Sequence, residues 1–103
     1  MAKAQNKEHS DNLYRAVLSL KTMDECKHFF QDLCTVSELQ AMEQRFEVAL
    51  LLDEGMIYND ILERTGASSA TISRVNRALH YGANGYQRVL PRVKALRRQE
   101  DGT

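Results

Sequence analysis

The run Val-Ala-Leu-Leu-Leu, from Val48 to Leu52, constrains this chain more than any other stretch. It closes a helical pattern, about Val36 to Glu54, in which Leu39, Met42, Phe46 and Ala49 line one face at steps of three and four. A helix that is apolar all round has to be buried on every side. No apolar run is longer than these five residues, whereas a membrane helix needs about 20. The cover is therefore expected to be protein, and no membrane partner is expected.

The other segments also read as helices. Ser10 can cap a first one, with Leu13, Val17 and Leu20 on one face. Thr22 and Glu25 form a capping-box pattern before Met23, Cys26, Phe29, Phe30 and Leu33, and Thr35 with Glu38 repeats it at the start of the long helix. Gly55 ends that helix. A short helix spans Tyr58 to Thr65, Gly66 breaks it, and another runs from Ser69 to Tyr81. Gly82 to Gly85 is a breaker. The last helix carries Tyr86, Val89, Leu90, Val93 and Leu96, with Pro91 expected to kink it or delay its start. No strand-like alternation occurs. The fold class is all-α, with about six helices in a single domain over 1–103. Residues 1–9 and 99–103 are expected to be disordered.

At 103 residues the chain buries a modest core, which makes an obligate dimer an option. Two cysteines and no apolar leader suggest a reduced, cytoplasmic protein. Net charge is zero, but its distribution is uneven. Residues 1–63 hold six Lys/Arg against twelve Asp/Glu, and residues 64–98 hold eight Lys/Arg and no Asp/Glu. The second half is suited to an anionic partner, although a dipolar surface without a ligand gives the same count.

Residues 58–81 fit a helix-turn-helix. Gly66 stands at the turn, Ile61 and Leu62 face inward from the first helix, and Ile72, Val75 and Leu79 form the inward stripe of the second. Ser68 or Ser69 can cap the second helix. At about 100° per residue, Ala70, Ser73, Arg74 and Arg77 fall on its outer face, with Thr71 on the flank. Small side chains let a helix lie deep in a major groove, and arginine grips guanine O6 and N7 with two bonds. The helix N-terminus offers backbone N–H groups to a phosphate. A plain helical hairpin is the bland alternative for the same residues.

The segment "TGASSATISRVNRAL", Thr65 to Leu79, resembles the reading segment of the Trp repressor superfamily, whose pattern is G-A-x-x-A-T-I-[ST]-R. Phe29 to Gly55, followed by Ile61 to Val75 and by "LHYG" at Leu79 to Gly82, is similar to the YerC/YecD-type Trp-repressor-like proteins of bacteria. The resemblance covers about residues 13–96. It implies an intertwined homodimer with two reading heads on a shared core. It also implies regulation of transcription, as a repressor, at a two-fold operator. Base reading would fall to Ser69, Ala70, Ser73, Arg74 and Arg77, and phosphate contact to Ser68 and Thr71.

The resemblance bears on tryptophan too. In the Trp repressor two arginines sandwich the indole. Arg74 matches one, and Arg45 matches the other if this chain is one residue shorter between Arg45 and Gly66. The family's next residue after the second arginine is glycine, and a serine three further on receives the ligand's amino group. Here these are Val75 and Ala78. The valine fills the space of the ring and the alanine lacks the polar group, so no tryptophan cofactor is expected. Arg45 equally suits an ion pair with Glu43, Glu47 or a partner chain.

Cys26, His28 and Cys34 do not converge as a metal site needs, and no catalytic set is visible, so an enzyme is not expected. His80 suits either a phosphate or the helix C-terminus. Asp53 and Glu54 read as solvated. Arg88, Arg92, Lys94, Arg97 and Arg98 suit DNA backbone contact, a solvated face, or pairing with a partner subunit. The leading reading is a homodimeric, sequence-specific double-stranded DNA-binding transcription regulator. The alternatives are a protein-interaction module that keeps the helix-turn-helix shape, and a repressor controlled by tryptophan or another small molecule.

Overall fold

Capping, burial and glycine breaks divide the chain as the pattern suggests. The computed structural model describes residues 10–102. Among these it holds six helices and no strand: α1 (Asn12–Ser19), α2 (Met23–Leu33), α3 (Val36–Asp53), α4 (Tyr58–Thr65), α5 (Ser69–Tyr81) and α6 (Gly85–Gly102). Residues 1–9 and Thr103, read as disordered ends, lie outside the described residues.

Thr35 and Glu38 close a complete capping box. The Thr35 hydroxyl accepts the Glu38 N–H at 3.1 Å, and the Glu38 carboxylate accepts the Thr35 N–H at 2.8 Å. At α2 the Thr22 hydroxyl accepts the Glu25 N–H, while the Glu25 carboxylate reaches one residue further back, to the Lys21 N–H. Asp11, rather than Ser10, is the N-cap of α1, and the Ser10 hydroxyl accepts the Asn12 N–H. At the end of α3 the Gly55 N–H donates to the Leu52 carbonyl and the Met56 N–H to that of Leu51, which is the Schellman pattern.

The chain, read from its length as one domain, divides by packing into two compact units, the first ending at Leu39 and the second starting at Gln40. No residue of α1 or α2 is buried. Among the described residues every buried one lies in the second unit: Val48, Ala49, Leu50, Leu51, Ile61, Ala67, Ile72, Val75 and Leu90. The all-round apolar run is therefore covered as expected, except that Leu52 is half-buried.

Two expectations for α6 are corrected. The helix starts at Gly85, so Pro91 does not delay it. Proline forfeits one hydrogen bond, toward the carbonyl one turn back, but Leu90 beside it is 1% exposed and Val93 packs on the same core. Side-chain burial on both sides holds the helix across the proline. Residues 99–102, read as tail, are helical. Arginine, glutamine and glutamate form helix well, and no breaker stands between Pro91 and Gly102.

The α5–α6 connection is tight. A Cβ at Gly82 would lie 2.4 Å from the Ala78 carbonyl oxygen. Gly82→Ala is therefore expected to cost about 1–3 kcal/mol, because backbone has to shift to admit it. Urea unfolding checks this, and an unchanged midpoint would show that the loop absorbs the methyl freely.

Candidate nucleic-acid interface

The turn between α4 and α5 is built from four residues with distinct tasks. Gly66 adopts φ 74° and ψ 5°, and its N–H donates to the Leu62 carbonyl at 2.9 Å. Only glycine takes that left-handed conformation without steric cost. The Thr65 hydroxyl donates to the Ile61 carbonyl at 2.7 Å and accepts the Ala67 N–H at 3.1 Å. Ala67 is 1% exposed and seats the turn in the core. Ser68 is the N-cap of α5, and its hydroxyl accepts the Thr71 N–H and donates to the Thr71 hydroxyl, both at 3.1 Å.

The inward face of α5 is Ile72 and Val75, both buried, with Leu79 half-buried on the same core. Ile61 enters from α4 with no exposed surface. The opposite face carries Ser69, Ala70, Ser73, Arg74 and Arg77, all exposed, with Thr71 half-buried at its edge. The residues named from the sequence therefore share one face. Arg74 and Arg77 form no ion pair with a described residue. No carboxylate occurs anywhere from residue 64 to 98, so this helix presents hydroxyls and guanidinium groups without internal competition.

Ser68 and Thr71 differ in what they have left to offer. Ser68 is committed to the cap in both directions, while Thr71 receives that proton and keeps its own O–H as a donor. His80 serves the helix end: its Nδ1 lies 2.9 Å from the Asn76 carbonyl, to which an Nδ1–H donates. Gln87 of α6 donates its side-chain amide to the Leu79 carbonyl at 2.9 Å, which ties the last turn of α5 to the next helix.

The basic residues of α6 are sorted. Lys94 pairs with Asp53 and Arg97 with Glu54, the latter at 3.7 Å. Asp53 and Glu54 are thus not simply solvated, and these two cations answer acids of their own chain. The α6 helix runs beside α3, with the Phe46 and Tyr86 ring centroids 6.1 Å apart, and brings the opposite charges at the end of α3 together. Such exposed pairs contribute about 0–1 kcal/mol each.

Arg45 is exposed on α3 and pairs with neither Glu43 nor Glu47. Val75 is 2% exposed within the core. Cys26 and Cys34 are free and half-buried. Among the described residues no three of His, Cys, Asp and Glu gather as a metal site would require, and no helix is long and apolar enough to cross a membrane.

One participant had no signal in the sequence. Gln44 of α3 donates its side-chain amide to the Thr65 carbonyl at 3.1 Å, across 21 positions of chain. Periodicity describes one helix at a time, and a polar residue beside an apolar face reads as solvated.

An all-α chain with a turn of this geometry and a helix held by its inward face defines a helix-turn-helix protein. The family model of the Trp repressor protein matches residues 8–94, and the chain belongs to that family, whose fold is a regulator's. It is 54% identical over 84 residues to the uncharacterized protein YerC of Bacillus subtilis (strain 168), covering 82% of this chain and 81% of that protein. A solved TrpR-like protein from Eubacterium eligens ATCC 27750 superposes with a TM-score of 0.78 at 55% identity, covering 82% of this chain and 87% of that one. A candidate Trp repressor from Staphylococcus aureus superposes at 0.81 with 41% identity, covering 91% and 95%.

Proposed function

We propose that this protein is a sequence-specific, double-stranded DNA-binding transcription regulator, a repressor that acts in the cytoplasm as a homodimer. The observation that carries this reading is the outer face of α5. Small side chains and two guanidinium groups without an ion pair to a described residue stand there, on a helix held at its turn and along its inner side. Ser69, Ala70, Ser73, Arg74 and Arg77 read base edges. Ser68 and Thr71 flank the backbone, with Thr71 the better phosphate donor.

The dimer is supported by apolar surface. Leu13, Tyr14, Val17 and Leu18 of α1, Met23 and Leu33 of α2 and Val36 of α3 are exposed, Leu18 at 85%. Surface of this kind, spread over three consecutive helices, suits a second copy. The family membership supports the same arrangement. Tryptophan has no part in the proposal, because Val75 occupies core space and Ala78 offers no polar group.

Selection of duplexes from a random pool, followed by fluorescence anisotropy across a salt series, tests the reading. Two half-sites about one helical turn apart are expected. Affinity is expected to fall about 1,000-fold between 50 and 200 mM salt if some six phosphates are contacted, and to be unmoved by added tryptophan. Absence of binding even at low salt would instead support a protein-interaction module.

A further inference from the structure

We infer that Gln44 is a positioning residue for the reading helix: its side-chain amide, reaching from α3 to the helix-turn-helix turn, sets the pose in which α5 meets DNA. This role presupposes the DNA reading of α5. Gln44 is half-buried, and its Nε2 donates to the Thr65 carbonyl at 3.1 Å. That carbonyl belongs to the last turn of α4, where a helix leaves acceptors unsatisfied. Thr65 is itself held on both sides, by the Ile61 carbonyl and the Ala67 N–H. Ala67 leads directly into Ser68, whose hydroxyl caps α5. Hydrogen bonds on adjacent residues of the turn thus lead from the core helix to the first turn of the reading helix.

Apolar packing settles which face of α5 turns inward, and a directional bond at the turn adds a separate constraint on the pose. Ile61, Ile72 and Val75 are buried, and the hydrophobic driving force that buries them is non-directional. A hydrogen bond prefers an angle above about 150° and weakens steeply below about 120°. Base reading by a planar, two-pronged guanidinium needs placement within about 0.5 Å, whereas attraction to phosphate does not. Loss of the Gln44 bond is therefore expected to damage discrimination and to spare general affinity for DNA.

Gln44→Met keeps side-chain length and neutral charge and removes the donor. Gln40→Met, at an exposed position one turn earlier on α3, is the control. In Gln44→Met, hydrogen exchange at the amides of residues 66–71 is expected to speed up about 5- to 10-fold, the effect of losing one part-buried hydrogen bond. The ratio of selected to scrambled duplex affinity is expected to fall by a similar factor, with scrambled-duplex affinity and its salt slope unchanged. Unchanged exchange would overturn the inference. So would faster exchange with an unchanged affinity ratio, which would make the bond purely structural. Wild-type protein that binds no duplex would overturn the DNA reading instead, and the exchange arm would still decide whether Gln44 holds the turn.

Discussion

Alanine at Arg74 or at Arg77 is expected to weaken binding to the selected operator by about 5- to 150-fold per reading head, since one arginine–guanine contact is worth about 1–3 kcal/mol. In a homodimer each substitution enters twice, so the full operator loses about 2–6 kcal/mol if the half-sites act independently. Folding should be untouched. Both side chains are exposed and neither is ion-paired with a described residue, so their removal opens no cavity and strands no charge. Anisotropy at fixed salt on selected and scrambled duplexes separates two roles. A base-reading arginine loses discrimination at one position, whereas a phosphate-binding one weakens all duplexes evenly and lowers the salt slope by about 1. Unchanged affinity for both variants would remove α5 as the reading helix.

Ile61→Ala and Ile72→Ala are each expected to lower stability by about 2–5 kcal/mol. Both side chains have no exposed surface, one entering the core from α4 and one from α5. Truncation removes three carbons and leaves a cavity that close-packed neighbours fill only in part. Against a total stability of about 5–15 kcal/mol, either change is severe. Urea unfolding at fixed protein concentration is the measurement, because a dimer's stability depends on that concentration. Ser73→Ala, on the exposed side of the same helix, should move the midpoint little. Equal shifts in Ile72→Ala and Ser73→Ala would mean that the inward and outward faces of α5 are misassigned.

Much of the candidate site was legible because it lies on a single helix. Ile72 and Val75 face the core and Ala70, Ser73, Arg74 and Arg77 face out, as a period of about 3.6 residues requires. The caps at Thr22 and Thr35 were legible for a similar reason, since a hydroxyl and the N–H it accepts lie three residues apart, and the structure chose Ser68 over Ser69 at α5. Gly66 followed from the break in the pattern, and the left-handed conformation is found there. At Pro91 the helix neither starts late nor breaks, and the burial of Leu90 and partial burial of Val93 accompany the one missing hydrogen bond.

The sequence by itself determined an all-α chain, its helix boundaries to within a few residues, the family, and the face of α5 that points away from the core. All of these rest on interactions among residues near in sequence, or on periodicities that repeat along one helix. Only the tertiary structure decided that Gln44 reaches the Thr65 carbonyl, that Lys94 and Arg97 answer Asp53 and Glu54, and that α6 runs unbroken through Pro91. Those outcomes join residues far apart in sequence. They depend on how one helix crosses another, and a pattern read along a single helix carries no information about that crossing.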